Sequence, residues 1–141
     1  MTISEVQDQI VEEFSIFDEW LDKYEYLIEV GKTVPGIEEK KKTKDKLIEG
    51  CQSRVWLNAD LQDGLIILSA DSDALITRGI VGLLIRVYNQ RTPQEIMTNE
   101  LTFIDRIGLA QNLSPTRANG LLSMIKQIKM YALAYDTILK K

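Results

Sequence analysis

The period of the hydrophobic pattern changes twice along the chain, and this constrains the fold more than any other feature. In the first thirty residues Ile10, Phe14, Phe17, Leu21, Tyr24 and Ile28 step by four and three, keeping one face of a helix apolar. The spacing predicts one amphipathic helix over residues 4–30, with Ser4 and Gln7 as a capping box and Gly31 as its stop. At 52–59 the period drops to two: Ser53, Val55 and Leu57 alternate with Arg54, Trp56 and Asn58, as a strand requires. Asp63-Gly64 signals a hairpin turn, and Leu65 to Ala70 reads as the partner strand. The LIEG segment at 47–50 is a candidate short third strand.

The helical period then returns. Asp71-Ser72-Asp73 has the composition of a helix start, with acids at the positive end of a helix running to about Asn89. Gly79 and Gly82 lie inside that span, where each lowers helix propensity, so a close approach to another element is expected there. Thr92-Pro93-Gln94-Glu95 carries an N-cap, a proline at the first helical position and a capping glutamate. Ser114-Pro115 repeats the device before a last helix with Leu121, Ile125, Ile128, Ala132, Tyr135 and Leu139 in register. Helix, small antiparallel sheet, then helices make an α+β fold, read as one domain over residues 1–141.

Composition removes several functions. With 17 basic and 21 acidic residues the net charge is -4, which argues against non-specific nucleic-acid binding. No apolar run approaches the roughly 18 residues of a membrane span, and the acidic N-terminus does not resemble a targeting peptide. There is no histidine, so no imidazole base or metal ligand. Cys51 is the only cysteine, which excludes an intramolecular disulfide and points to a reducing, cytoplasmic setting.

Charge is unevenly distributed. Nine acids and one base occupy residues 1–29, and Lys40, Lys41, Lys42, Lys44 and Lys46 crowd a loop marked by Pro35-Gly36. Both are read first as solvated surfaces, with docking as the sharper alternative. Trp20 and Trp56 read as packing residues. Arg117 falls in the first turn of the last helix, an unfavourable place for a cation, which hints at a specific partner. A lone cysteine is most often a small buried hydrophobe. Cys51, however, follows Gly50 at the entry to a strand, a loop position of the kind that carries function.

The residues around Cys51 carry the reading further. LIEGCQSRVWL at 47–57 resembles the signature of the SufE family of sulfur-acceptor proteins, and ADSDALITRGI at 70–80, RTPQEI at 91–96 and LSPTRANGL at 113–121 extend the likeness in order and spacing. Ala70 stands where that family often has glycine, and the Lys40–Lys44 run is peculiar to this sequence. The resemblance implies that Cys51 takes sulfur from the persulfide of a SufS-type cysteine desulfurase and passes it to an iron-sulfur scaffold complex. It implies an active-site loop of Gly50, Gln52, Ser53 and Arg54 around a thiol shielded until docking, with Asp73 and Arg117 in support or docking. No cofactor is expected on this chain, since pyridoxal phosphate belongs to the desulfurase. Nucleic acid and membrane are not expected partners. Two other classes stand beside this reading: a non-catalytic helical adaptor with an inert Cys51, and a single-cysteine peroxidase or redox sensor.

Overall fold

The computed structural model describes residues 1–48 and 53–140. Helices α1 (Ile3–Ser15) and α2 (Trp20–Gly31) precede the strands β1 (Val55–Gln62) and β2 (Leu65–Ser72), and α3 (Leu75–Tyr88), α4 (Pro93–Thr98), α5 (Phe103–Arg106) and α6 (Pro115–Leu139) follow. Among the described residues the two strands form one antiparallel sheet. The α+β expectation holds.

The hairpin is specified locally. Asp63 and Gly64 both have positive φ, 52° and 79°, the geometry of a two-residue turn whose twist matches the strands. That turn fixes the register, pairing Gln62 with Leu65 and Val55 with Ser72. Val55, Leu57 and Ala59 on β1 and Ile66, Leu68 and Ala70 on β2 point into the core. β2 runs two residues beyond the expected 65–70, and β1 is shifted toward the turn, spanning Val55–Gln62 where the alternation predicts 52–59, because pairing is propagated from the turn and Ser53 and Arg54 lie outside the ladder.

An isolated two-stranded sheet is marginal in water and leaves two unpaired edges. Here both edges find partners outside the sheet. On β2, Ile66 N–H donates to Arg91 O (2.8 Å), Leu68 N–H to Asn89 Oδ1 (2.8 Å) and Ala70 N–H to Pro35 O (2.9 Å). On β1, the carbonyl of Val55 accepts from Ile48 N–H (2.9 Å), that of Leu57 from Tyr131 Oη (2.9 Å) and that of Ala59 from Tyr135 Oη (2.7 Å). The candidate third strand at LIEG is thus a single bridge, Leu47 opposite Trp56, rather than a strand among its described residues.

Three helix expectations need correction. The single helix over 4–30 is two helices. A continuous helix would hold residues 13 and 26 about 20 Å apart along its axis, yet Tyr26 Oη donates to the Glu13 carboxylate and the Tyr26 ring lies 5.3 Å from Phe14 and 5.4 Å from Phe17. The chain therefore folds back through Ile16–Glu19, and Leu21, apolar in the pattern, is 71% exposed. The capping box at the N-terminus is Thr2 with Glu5, reciprocally bonded at 3.0 and 2.9 Å, instead of Ser4 with Gln7. Gln7 is buried and ties α1 to the start of α5, accepting from Thr102 and Phe103 N–H and donating to Glu100 O. Lastly, Asp71 and Ser72 belong to β2, and α3 begins at Leu75 without a side-chain cap. The capping motifs at Thr92–Glu95 and Ser114 are present as expected.

Helix α3 is the centre of the packing, buried along most of its length. Its glycines answer the expectation of a close approach, and the neighbour is α2. A β-carbon on Gly79 would lie 2.1 Å from the Leu27 carbonyl oxygen, and one on Gly82 would lie 3.0 and 3.1 Å from the side chains of Val34 and Val30. Backbone therefore packs on backbone at this crossing. Gly79→Ala should destabilise the fold by about 3 kcal/mol in urea unfolding, because an overpacked backbone contact has no flexible atom to yield. Gly36→Ala, where the new methyl meets nothing within 4 Å, should change little.

Candidate functional site

The segment carrying the only thiol is bounded by two described ends. Ile48 is buried, and its N–H bonds to Val55 O at 2.9 Å. On the far side, Ser53 is half-buried and Arg54 is exposed. Arg54 is held through its backbone: its N–H donates to Asp73 Oδ1 (3.1 Å), and its carbonyl accepts from Ser72 Oγ (2.8 Å) and Asp73 N–H (3.3 Å). Ser72 Oγ also accepts from Ala74 N–H at 3.2 Å, so the β2–α3 corner is organised around that hydroxyl. Two of the sequence-selected residues, Arg54 and Asp73, are thus brought together. The DSD cluster fixes the exit of the thiol segment instead of capping a helix.

Gly50, Cys51 and Gln52 lie outside the described residues, as does the expected shielding of the thiol. Arg117 is exposed in the first turn of α6, with its N–H on Ser114 Oγ at 3.3 Å. The structure places it on the helix that borders the site but bonds it to neither Arg54 nor Asp73. Among the described residues no cluster of His, Cys, Asp or Glu is suited to a metal ion. No described helix is long and apolar enough to cross a membrane.

One constellation escaped the sequence reading. Trp56 and Asp71 face each other across the ladder, and Lys42 lies over both, 5.2 Å from the indole centroid and 2.5 Å from Asp71 Oδ2. Arg78 Nη2 completes the group, 2.9 Å from Asp71 Oδ1 and 2.7 Å from Ser72 O. Partial burial pushes the Asp71 carboxyl up, but the bonds from Lys42 and Ser72 N–H and the charges of Lys42 and Arg78 outweigh it and hold the group below its ordinary 3.8. The bond to Asp71, with help from Glu39, raises Lys42 above its usual range. The lysine loop is therefore pinned to the sheet nine residues before the thiol, and Lys46 adds a second contact over the Tyr131 ring at 5.6 Å.

Comparison with known proteins decides the family. The family model described as "SufE: Fe-S metabolism associated domain" matches residues 8–132. The chain belongs to the SufE family. An uncharacterized SufE-like protein of Rhizobium meliloti (strain 1021) is 40% identical over 130 residues, covering 89% of this chain and 93% of the relative. A second, from Rhizobium etli, is 39% identical over 127 residues, covering 86% of each. The solution structure of a hypothetical protein from Thermus thermophilus superposes with a TM-score of 0.77 over 94% of this chain and 96% of that one. At 20% identity this likeness concerns the fold alone. In the SufE frame Cys51, Arg54, Asp73 and Arg117 all fall inside the matched span.

The Lys42–Asp71 pair has a definite pH signature. Because the folded state lowers the Asp71 pKa, the stability it confers is present above the ordinary value of 3.8 and is lost as the pH falls through the lower folded value. Wild type should therefore exceed Asp71→Asn in stability near neutrality, and the gap should close as the solution is acidified below about pH 4. Urea unfolding of both proteins across that range checks it.

Proposed function

We propose that this SufE-family chain accepts sulfane sulfur from a cysteine desulfurase onto Cys51 and hands it on for iron-sulfur cluster assembly in the cytoplasm, with residues 1–141 acting as one unit. The observation that carries the reading is that the only thiol among 141 residues falls within the span matched to a family of Fe-S metabolism. The step is a thiol–persulfide exchange. Cys51 loses its proton to water, its thiolate attacks the terminal sulfur of the donor persulfide, and the donor S–S bond breaks. The donor cysteine leaves as a thiolate that takes up a proton, and Cys51 keeps the new S–S bond as a persulfide. Sulfur oxidation levels are exchanged between partners, so no further oxidant is needed.

Neither histidine nor a metal is required for this exchange. An ordinary thiol is a few per cent thiolate at neutral pH, and the exchange rate then depends on access and on the leaving group. Gly50, Gln52, Ser53 and Arg54 form the reactive loop in this reading. Asp73 is the residue that sets the loop's exit through the Arg54 backbone, and Arg117 is assigned to docking. The acceptor is discharged by giving its terminal sulfur to a thiol of the scaffold complex in the same kind of exchange.

Cys51→Ser should retain the wild-type unfolding midpoint and lose all stimulation of sulfur release from cysteine by a desulfurase. Stimulation that survives the substitution, or survives alkylation of Cys51, would identify an adaptor. Loss of stimulation accompanied by peroxide consumption in the wild type would identify a redox enzyme.

A further inference from the structure

Helix α6 carries apolar side chains on two faces. Leu121, Met124, Ile128 and Ala132 are buried against the core, which accounts for one face. On the other, Leu122 is 64% exposed, Met130 54% and Leu133 55%. With Lys126 between them, these positions advance by four, four and three, so they share one outward stripe. A row of large exposed apolar residues has no role in the fold and marks an interaction surface more often than chance exposure does.

This stripe runs into a cleft beside the candidate site. Lys44, Leu47 and Ile48 from the lysine loop face Ser123, Lys126 and Met130 of α6 across about 340 Å³. Ile48 is the last described residue before the thiol segment, and its N–H is fixed to Val55 O. The cleft therefore abuts the anchored end of that segment.

Its charge differs from that of the rest of the chain. From Arg106 to Tyr135 there is no Asp or Glu, while Arg106, Arg117, Lys126 and Lys129 are basic, in a protein of net charge -4. Arg106 is engaged by Asp8, and Lys129 donates to Ile96 O and Asn99 O. Lys126 and Lys44 are exposed, and among the described residues neither lies within 4.0 Å of a carboxylate. Asp45, the one acid lining the cleft among the described residues, already accepts from the Thr43 hydroxyl.

We infer that the Lys44–Lys126 cleft and the Leu122–Met130–Leu133 stripe form the docking surface for the sulfur donor, which presents an acidic segment with apolar side chains. The inference rests on the sulfur-acceptor reading above and adds the face and the chemistry by which the donor is held. Like charges make the acidic α1–α2 surface a poor seat for such a segment, whereas the basic cleft attracts it and the stripe buries its apolar residues. Docking there sets the donor against the Ile48 end of the thiol segment. Rim lysines should act mainly on association rate and salt dependence, and the apolar stripe on residence time.

The test is calorimetric binding to a cysteine desulfurase that lacks its own reactive cysteine. Lys44→Glu with Lys126→Glu should weaken binding about tenfold and flatten its salt dependence. Met130→Asp should weaken it at every salt concentration. Glu12→Gln, an exposed change on α1, should leave it at the wild-type value. All positions changed are solvent-exposed, and thermal unfolding checks the fold; Lys126→Gln gives a milder measure of the same charge. Variants that bind like wild type overturn the inference while leaving sulfur acceptance standing. Sedimentation of the same samples covers another occupant: a wild-type dimer dissolved by Met130→Asp with unchanged donor affinity would assign the stripe to a second copy and overturn the inference. A wild-type protein that neither binds the desulfurase nor acquires its sulfur would instead remove the underlying functional reading.

Discussion

The free edge of β1 is the constraint on which the rest of the molecule depends. Its outward carbonyls at Val55, Leu57 and Ala59 must find donors, since a buried unpaired backbone group costs about as much as a lost hydrogen bond. A third strand would have supplied them. Instead Ile48 N–H takes the first, and the hydroxyls of Tyr131 and Tyr135, one helical turn apart on α6, take the next two. This arrangement fixes α6 alongside the sheet and fixes Ile48 opposite Val55. The thiol segment is bounded by that single rung, so the same interaction that closes the sheet edge also sets where the segment begins.

The opposite end of the segment is set by side chains. Asp73 and Ser72 clamp the Arg54 backbone, and Asp71 pins Lys42 over Trp56. Three consecutive residues at the end of β2 thus serve the segment's exit and the loop before its entry. Behind them, α3 presses Gly79 against the Leu27 backbone and holds the β2–α3 corner against α2. Fixed ends on either side of a short thiol segment suit the proposed sulfur transfer, in which one sulfur atom has to be presented to a partner's sulfur within bonding distance.

Much of this was legible in the sequence where the signal is local. Asp63-Gly64 declares its turn by chemistry, and Thr92–Glu95 and Ser114-Pro115 declare their helices in the same way. The register of the hairpin follows from the turn, and with it the facing of Trp56 and Asp71, whereas the seat of Lys42 over them is a loop-to-sheet contact that no local signal specifies. What failed were features decided by distant contacts. The apolar steps at Phe14, Phe17 and Leu21 continue smoothly through a break that contains neither Gly nor Pro, because the break is imposed by Tyr26 packing on Phe14 and bonding Glu13. The DSD cluster has the composition of a cap, but cross-strand pairing and the need to hold Arg54 outweigh that preference. Of the tyrosines that complete the sheet edge, Tyr135 looked like a core position in a helical stripe and Tyr131 fell outside it, and nothing in their spacing reveals the carbonyls they meet.

Sulfur acceptance by Cys51 is tested most directly by locating the sulfur. The wild-type protein is incubated with a cysteine desulfurase and sulfur-labelled cysteine, quenched with an alkylating agent, digested and mapped by mass spectrometry. One additional labelled sulfur is expected on the peptide containing Cys51, lost on reduction, and none elsewhere in the chain. Turnover of labelled cysteine by the desulfurase with no label on that peptide at any time point, while the two proteins are shown to bind, would contradict it.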